Sequence, residues 1–496
     1  MTIRRPLLEL LTREETESIV GEACRTLETV GVLVEHAGAR ALLAEAGAAE
    51  AGGRSRIPER LVRSALAGAP RHFTVYDRQG RPALEMGGEA IQFDPGSAAI
   101  HRLDAATWRR RDATTADVAD LVGLVDGLPN YAAQSTALTA GDVPREMGDR
   151  WRLYVSLALS GKPVVTGTFR TDGFAPMHAM LAAVRGGARE LAARPLAIFD
   201  CCPSPPLKWS ELTAQALLDC ARAGVPATLV SMPLTGATAP VTLREAVVQH
   251  CAENLSGLVL HQLAGPGAPI TYGGAPSAFD MRQGTTPMGA VETLMIDLAA
   301  AQVGRSLGLP THAYMGLSDA KVPDYQAGLE TGVGALLAAA GGVNLVSGAG
   351  LLDYLLTQSL EKLLLDHDAC GLALRLARGI ERHPGDPIAL LGELVAKGSL
   401  LGHAHTRAHW RQELTVPSAS IDRATYGDWE KSGALWAHQR AAAEVSRRLA
   451  ARSAEPLPAP LAAELGAIIA AEGRRWGAET LPGLTPGGDP ERIPPR

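Results

Sequence analysis

Three observations predict an α/β fold built on a (β/α)8 barrel of the TIM type. Eight short apolar segments alternate with longer Ala- and Leu-rich stretches, the rhythm of a parallel sheet with crossover helices. Five of the eight follow a proline, at Pro163, Pro195, Pro226, Pro269 and Pro310, and Pro at the start of a strand removes no ladder hydrogen bond. No GxGxxG follows the first strand, as a doubly wound dinucleotide-binding sheet would require.

Residues 1–113 read as an α+β cap. Apolar residues at helical spacing, Ile19, Ala23, Leu27 and Val30, place a helix within Thr12 to Glu35, and Thr12 followed by Glu15 forms a capping box at its start. Shorter helices are expected at Gly38 to Ala48 and Pro58 to Ala67, then short strands at HFTVYD and from Ala83 to Phe93. Residues 114–421 form the barrel. Its strands are expected at Tyr131 to Leu138, Pro163 to Phe169, Pro195 to Asp200, Pro226 to Met232, Pro269 to Tyr272, Thr311 to Met315, Val343 to Ser347 and Leu400 to His405. Helices separate them, for example Asp149 to Ser160, Glu211 to Ala223, Arg244 to Leu263 and Glu292 to Leu307. Residues 422–496 are a helical extension with a Pro-rich patch at Pro456 to Pro460 and a Gly/Pro-rich end expected to be disordered.

Composition narrows the function. The 496 residues are 46% hydrophobic and 20% charged, with a net charge of −6 and no basic block, which argues against a nucleic-acid surface. No apolar run reaches the roughly 18 residues of a membrane span. MTIRRPLLELL turns helical at once without a signal-peptide core, so a cytoplasmic location is expected. The six cysteines form no CxxC pair and are read as reduced and mostly buried.

In a (β/α)8 barrel the chemistry sits at the carboxyl ends of the strands. The loop after Tyr314 carries Ser318, Asp319, Lys321 and Asp324. Asp319 and Lys321 are the catalytic candidates. Phe169, Phe199, Asp200, Tyr272, Tyr314 and Ser347 are substrate-binding candidates, together with Arg282, His403 and His405. The set is mostly aromatic and hydroxylic, without a triad or phosphate loop, and suits binding a cation while a cofactor supplies reactivity. His403 and His405 raise a metal site as an alternative, but the spacing places no third ligand beside them, so no metal is assigned.

The chain resembles the trimethylamine methyltransferase family, especially its members without pyrrolysine that act on quaternary amines such as glycine betaine. The resemblance runs through LETVGVLVE, APRHFTVYDR, LDAATWRRRDATTADVADLVGLVDGLPN, GAPITYGG with FDMRQG, SDAKVPDYQAGLE, GGVNLVSGAGLLD, the HT of HAHTRAHW, and YGDWEKSG. It implies a (β/α)8 fold and methyl transfer from a methylated amine to the Co(I) corrinoid (cobalamin) of a separate small protein, with no tightly bound cofactor of its own; a symmetric homo-oligomer is the commoner outcome for such an enzyme. Trimethylamine-specific members carry pyrrolysine in the barrel mouth, whereas this chain has only standard residues, so a quaternary amine is the expected substrate. Under that reading aromatic faces and a carboxylate hold the cation, and Arg282, Lys321 or His405 would face a betaine carboxylate. The competing readings are a non-catalytic betaine sensor and a metal-dependent barrel hydrolase.

Overall fold

The computed structural model describes residues 7–451 and 456–484; the end expected to be disordered lies largely outside them. Eight parallel strands form one sheet. They are β1 Gln92–Asp94, β2 Gln134–Ser135, β3 Val164–Thr166, β4 Ala197–Cys201, β5 Ala227–Leu229, β6 Ile270–Gly274, β7 Thr311–Tyr314 and β8 Leu345–Ser347. Strand β8 pairs back onto β1, and a bridge from Phe93 to Tyr131 links β1 toward β2 and closes the barrel. Each strand is followed by a helix: α1 Thr115–Asp126, α2 Gly148–Leu159, α3 Phe174–Arg185, α4 Glu211–Ala223, α5 Leu243–Ala264, α6 Val291–Ser306, α7 Tyr325–Gly341 and α8 Leu360–Arg378.

The (β/α)8 expectation holds, but two of its strands are reassigned. The first strand is Gln92–Asp94, inside the segment assigned to the cap. It is three residues long, too short for periodicity to separate it from a hairpin strand, and only its neighbours β8 and β2 make it part of a barrel. The segment expected as an eighth strand, Leu400 to His405, instead leads into the exposed helix Ala404–Glu413, which His403 caps by accepting the N–H of His405 at 3.2 Å. With two histidines, a glycine and an alanine in its last four positions and no buried residue in the helix, this stretch has nothing to place against a barrel core.

Alternation along the strands decides what reaches the interior. The hairpin formed by Phe73–Tyr76 and Pro82–Met86 inserts Val75, Leu84 and Met86 against Ala133, Val165, Ile198 and Leu345. These side chains fill the amino end of the barrel and leave polar groups to the carboxyl end. A four-stranded sheet of Leu351–Leu352, Thr357–Gln358, His101–Leu103 and Arg110–Asp112 follows β1 and β8. The amino-terminal helix Arg13–Thr29 starts with the expected capping box and is tied to α5 by the Arg244–Glu22 ion pair at 2.8 Å.

Helix α7 lies unusually close to its strand. A Cβ on Gly334 would stand 2.0 Å from the carbonyl oxygen of Met315. Alanine there is expected to destabilise the protein by about 1–3 kcal/mol despite its better helix propensity, because backbone has to move. A chemical-denaturation midpoint equal to wild type would show that α7 shifts without cost.

Candidate active site

The last inward-facing layer of the barrel is acidic and polar. Strands β1 and β4 carry the same pair near their carboxyl ends, Phe93-Asp94 and Phe199-Asp200, and in both the Phe turns outward into the helix layer while the Asp turns inward. Asp94 lies on the first strand and Asp200 on the fourth, so they approach from opposite sides of the lumen. Burial pushes the Asp94 carboxyl up to about 7, although it accepts hydrogen bonds from Gly96 N at 2.6 Å and Ser347 Oγ at 2.9 Å. Burial pushes Asp200 up to about 8, reinforced by the charge of Asp94 and opposed by Arg152. Among the described residues neither acid has an ion-pair partner within contact distance.

On β7, His312 and Tyr314 point to the same interior, their rings in edge contact at 5.2 Å. The ring nitrogen Nε2 of His312 meets Ser347 Oγ at 2.9 Å, and that hydroxyl donates to Asp94. A serine giving its only proton to a carboxylate accepts from His312, which leaves Nδ1 as the ring's acceptor. Burial lowers the His312 pKa to about 3, so the ring is neutral. The Tyr314 hydroxyl accepts the N–H of Ser97 at 3.1 Å.

Four successive strands, β4 to β7, each leave one buried polar atom without a partner: Asp200 Oδ1, Thr228 Oγ1, Thr271 Oγ1 and His312 Nδ1. A buried polar group lacking a hydrogen bond costs about 1–3 kcal/mol, so an arc of four marks a place built for something else to occupy. Three acceptor or hydroxyl atoms and one carboxylate suit a small cation.

Of the residues expected from sequence, Asp200, Tyr314 and Ser347 reach this arc together. Phe169 stands beside it, 43% exposed on the loop after β3, with the Arg152 guanidinium stacked 4.2 Å from its ring centre. Phe199 and Tyr272 do not line the mouth. Phe199 packs on Phe174 of α3 at 5.2 Å, and Tyr272 turns outward to His250 of α5 at 5.4 Å; strand alternation puts each one residue out of phase with the interior. His403 and His405 lie outside the barrel, His403 on Glu393 and His405 against His409. Among the described residues no group of three metal-capable side chains converges. Arg282 pairs with Asp280 at 3.0 Å in an exposed loop.

Asp319 and Lys321 hold loops in place. Asp319 is buried and accepts Met288 N at 2.9 Å and Gly289 N at 2.7 Å, which joins the loop after β7 to the one before α6. Lys321 Nζ donates to Asp319 O at 2.7 Å and sits 4.2 Å over the ring of Tyr354. Asp319→Ala is therefore expected to lower stability by about 1–3 kcal/mol through two orphaned buried N–H groups. The check is melting temperature beside turnover per folded molecule: lost turnover at an unchanged melting temperature would return Asp319 to the chemistry.

The main omission of sequence reading is Asp94, one residue beyond a segment read as a cap strand. The signal was present as IQFDP beside AIFDC, two short segments of one chain that share a Phe-Asp pair. A cavity of about 850 Å³ lies on the outer side of α7 and α8, lined by Trp108, Tyr325, Lys362 and Trp436.

The family model described as trimethylamine methyltransferase (MTTB) matches residues 1–477. A trimethylamine methyltransferase, MttB, of Desulfitobacterium hafniense is 30% identical over 462 residues, covering 92% of each chain. A glycine betaine methyltransferase of Desulfitobacterium hafniense is 29% identical over 479 residues, covering 96% of this chain and 99% of its own. The solved monomethylamine methyltransferase MtmB of Methanosarcina barkeri overlays with a TM-score of 0.52 at 10% identity, covering 96% of this chain and 89% of that one. That last likeness is one of fold.

Proposed function

Since this chain belongs to the trimethylamine methyltransferase family, we propose that it moves a methyl group from a methylated amine to the Co(I) corrinoid of a separate small protein. The observation that carries this reading is the interior arc of unpartnered polar atoms joined to two buried carboxylates. It fits a division of labour in which this chain holds the donor cation and the acceptor arrives at the open face.

A bound corrinoid would supply a strong nucleophile; the residues of this chain supply binding, alignment and exclusion of water. Asp94 and Asp200 place negative charge around the ammonium head, and Tyr314 offers an aromatic face, an attraction worth about 0.5–2 kcal/mol for a desolvated cation. In transfer from a quaternary ammonium the carbon–nitrogen bond breaks with its electron pair staying on nitrogen, so a neutral amine leaves and no proton has to move. The neutral His312 agrees with that demand, and the two carboxylates act through their charge. Catalysis then rests on alignment and desolvation.

Among the described residues no helix is long and apolar enough to cross a membrane. We place the protein in the cytoplasm, where a reduced corrinoid partner would meet it. The test is a stoichiometric assay with reduced cobalamin and methylated ammonium compounds. One methyl lost from the amine for each methylated corrinoid formed supports the reading. A cation that binds without turnover, even with a corrinoid protein present, would favour a sensor.

A further inference from the structure

We infer that the barrel site takes a methylated ammonium that carries no carboxylate, so that zwitterionic betaines are disfavoured. This rests on the methyl-transfer reading above and names the substrate class for the same site. The inference follows from what the interior lacks. A betaine brings one positive and one negative group, and a buried carboxylate needs a cation or several N–H donors to replace its water. The interior layer presents two acids, Asp94 and Asp200, with Ser347, Thr228 and Thr271 as hydroxyls and a neutral His312.

The cations near the mouth are committed elsewhere. Arg152, the one fully buried beside the acids, donates Nη1 to Thr136 O at 2.9 Å and Nη2 to Gly167 O at 3.2 Å, while Phe169 covers its face. Its Nε alone is unpartnered. Nη1 and Nη2 each keep a second N–H, but their two carbonyl bonds and the Phe169 ring hold the fork in place, and its charge already faces Asp149 and Asp200. Arg170 pairs with Asp172 at 3.1 Å and lies over Trp476 at 4.5 Å. Arg282 is spent on Asp280, and Lys321 on Asp319 O and Tyr354.

A betaine carboxylate would therefore enter a space already occupied by like charge. The free hydroxyls of Thr228 and Thr271 would instead suit a neutral tail, and a substrate alcohol would satisfy them. Choline and glycine betaine are a fitting pair of probes, because they share the trimethylammonium head and differ in a hydroxymethyl against a carboxylate.

The experiment is calorimetric titration of the full chain at pH 8 with tetramethylammonium, choline and glycine betaine. Tetramethylammonium or choline should bind at least about 30-fold more tightly than the betaine, the low end of what a charge left unpaired in a binding site forfeits. Asp200→Asn should weaken the two plain cations and narrow the gap, since it removes both an attraction for the head and a repulsion on the carboxylate. Betaine binding as tightly as choline overturns the inference and leaves methyl transfer standing. Binding of none of the three overturns both. A gap that Asp200→Asn leaves untouched also overturns the inference, because the selectivity then comes from another part of the protein.

Discussion

Asp200→Asn is expected to reduce methyl transfer by roughly 30- to 5,000-fold in kcat/KM, the consequence of losing about 2–5 kcal/mol when one member of a buried charge pair is neutralised. Asparagine keeps the shape and a carbonyl oxygen, so little of that loss comes from packing. Stability should move the other way. In the free protein Asp200 Oδ1 has no partner, and ionising the buried carboxyl is opposed by both burial and Asp94. Removing that charge relieves the folded state above about pH 8, so the variant should melt no lower than wild type there. A residue that merely holds the fold would lose both properties together. Kinetics and melting on one preparation separate the cases: normal turnover, or loss of turnover matched by a lower melting temperature, would sink the assignment.

Binding of a permanently charged cation is expected to strengthen by about tenfold per pH unit below pH 7 and to level off above about pH 8. One ionised carboxylate has to be available for one cation, and burial pushes Asp94 to about 7 and Asp200 to about 8. Each proton displaced by the ligand contributes a factor of ten per unit. Tetramethylammonium is the suitable probe because it does not titrate itself. The free protein should show the opposite trend. Both carboxyls have folded pKa values above their unfolded value of about 4, so the folded state holds more protons between roughly pH 4 and 8, and stability falls as pH rises through that window. A pH-independent affinity between 5.5 and 8 would mean that another group carries the attraction.

The parts of the site that were legible from sequence and the parts that were not differ in a physical way. Asp200, Tyr314 and Ser347 could be placed because they close apolar runs long enough to read as strands. Phe199 and Tyr272 close such runs too, yet point outward. A parallel barrel buries both faces of its strands, so hydrophobicity does not say which residue faces the lumen and the phase of alternation stays open. Asp94 was hidden because its short strand reads as part of a cap hairpin that stops at Phe93, and only pairing with β8 makes it a barrel strand. Asp319 looked catalytic because it sits in a polar loop at the mouth, and its two backbone partners, Met288 and Gly289, come from about 30 residues away.

By itself the sequence determined the class of the protein: an alternating strand and helix rhythm, proline-led strands and ordered blocks spread along the chain are local or collinear properties, and they led to the barrel and to the methyltransferase family. Only the tertiary structure decided which charges meet. Asp94 and Asp200 are 106 residues apart and belong to strands that pair with different neighbours. Closure of the sheet turns both into one lumen and removes them from water. That shared burial raises their pKa values and leaves the arc from Asp200 to His312 in need of a ligand. Charge in low dielectric acts through distance and solvent exclusion, and neither quantity exists until the chain has folded.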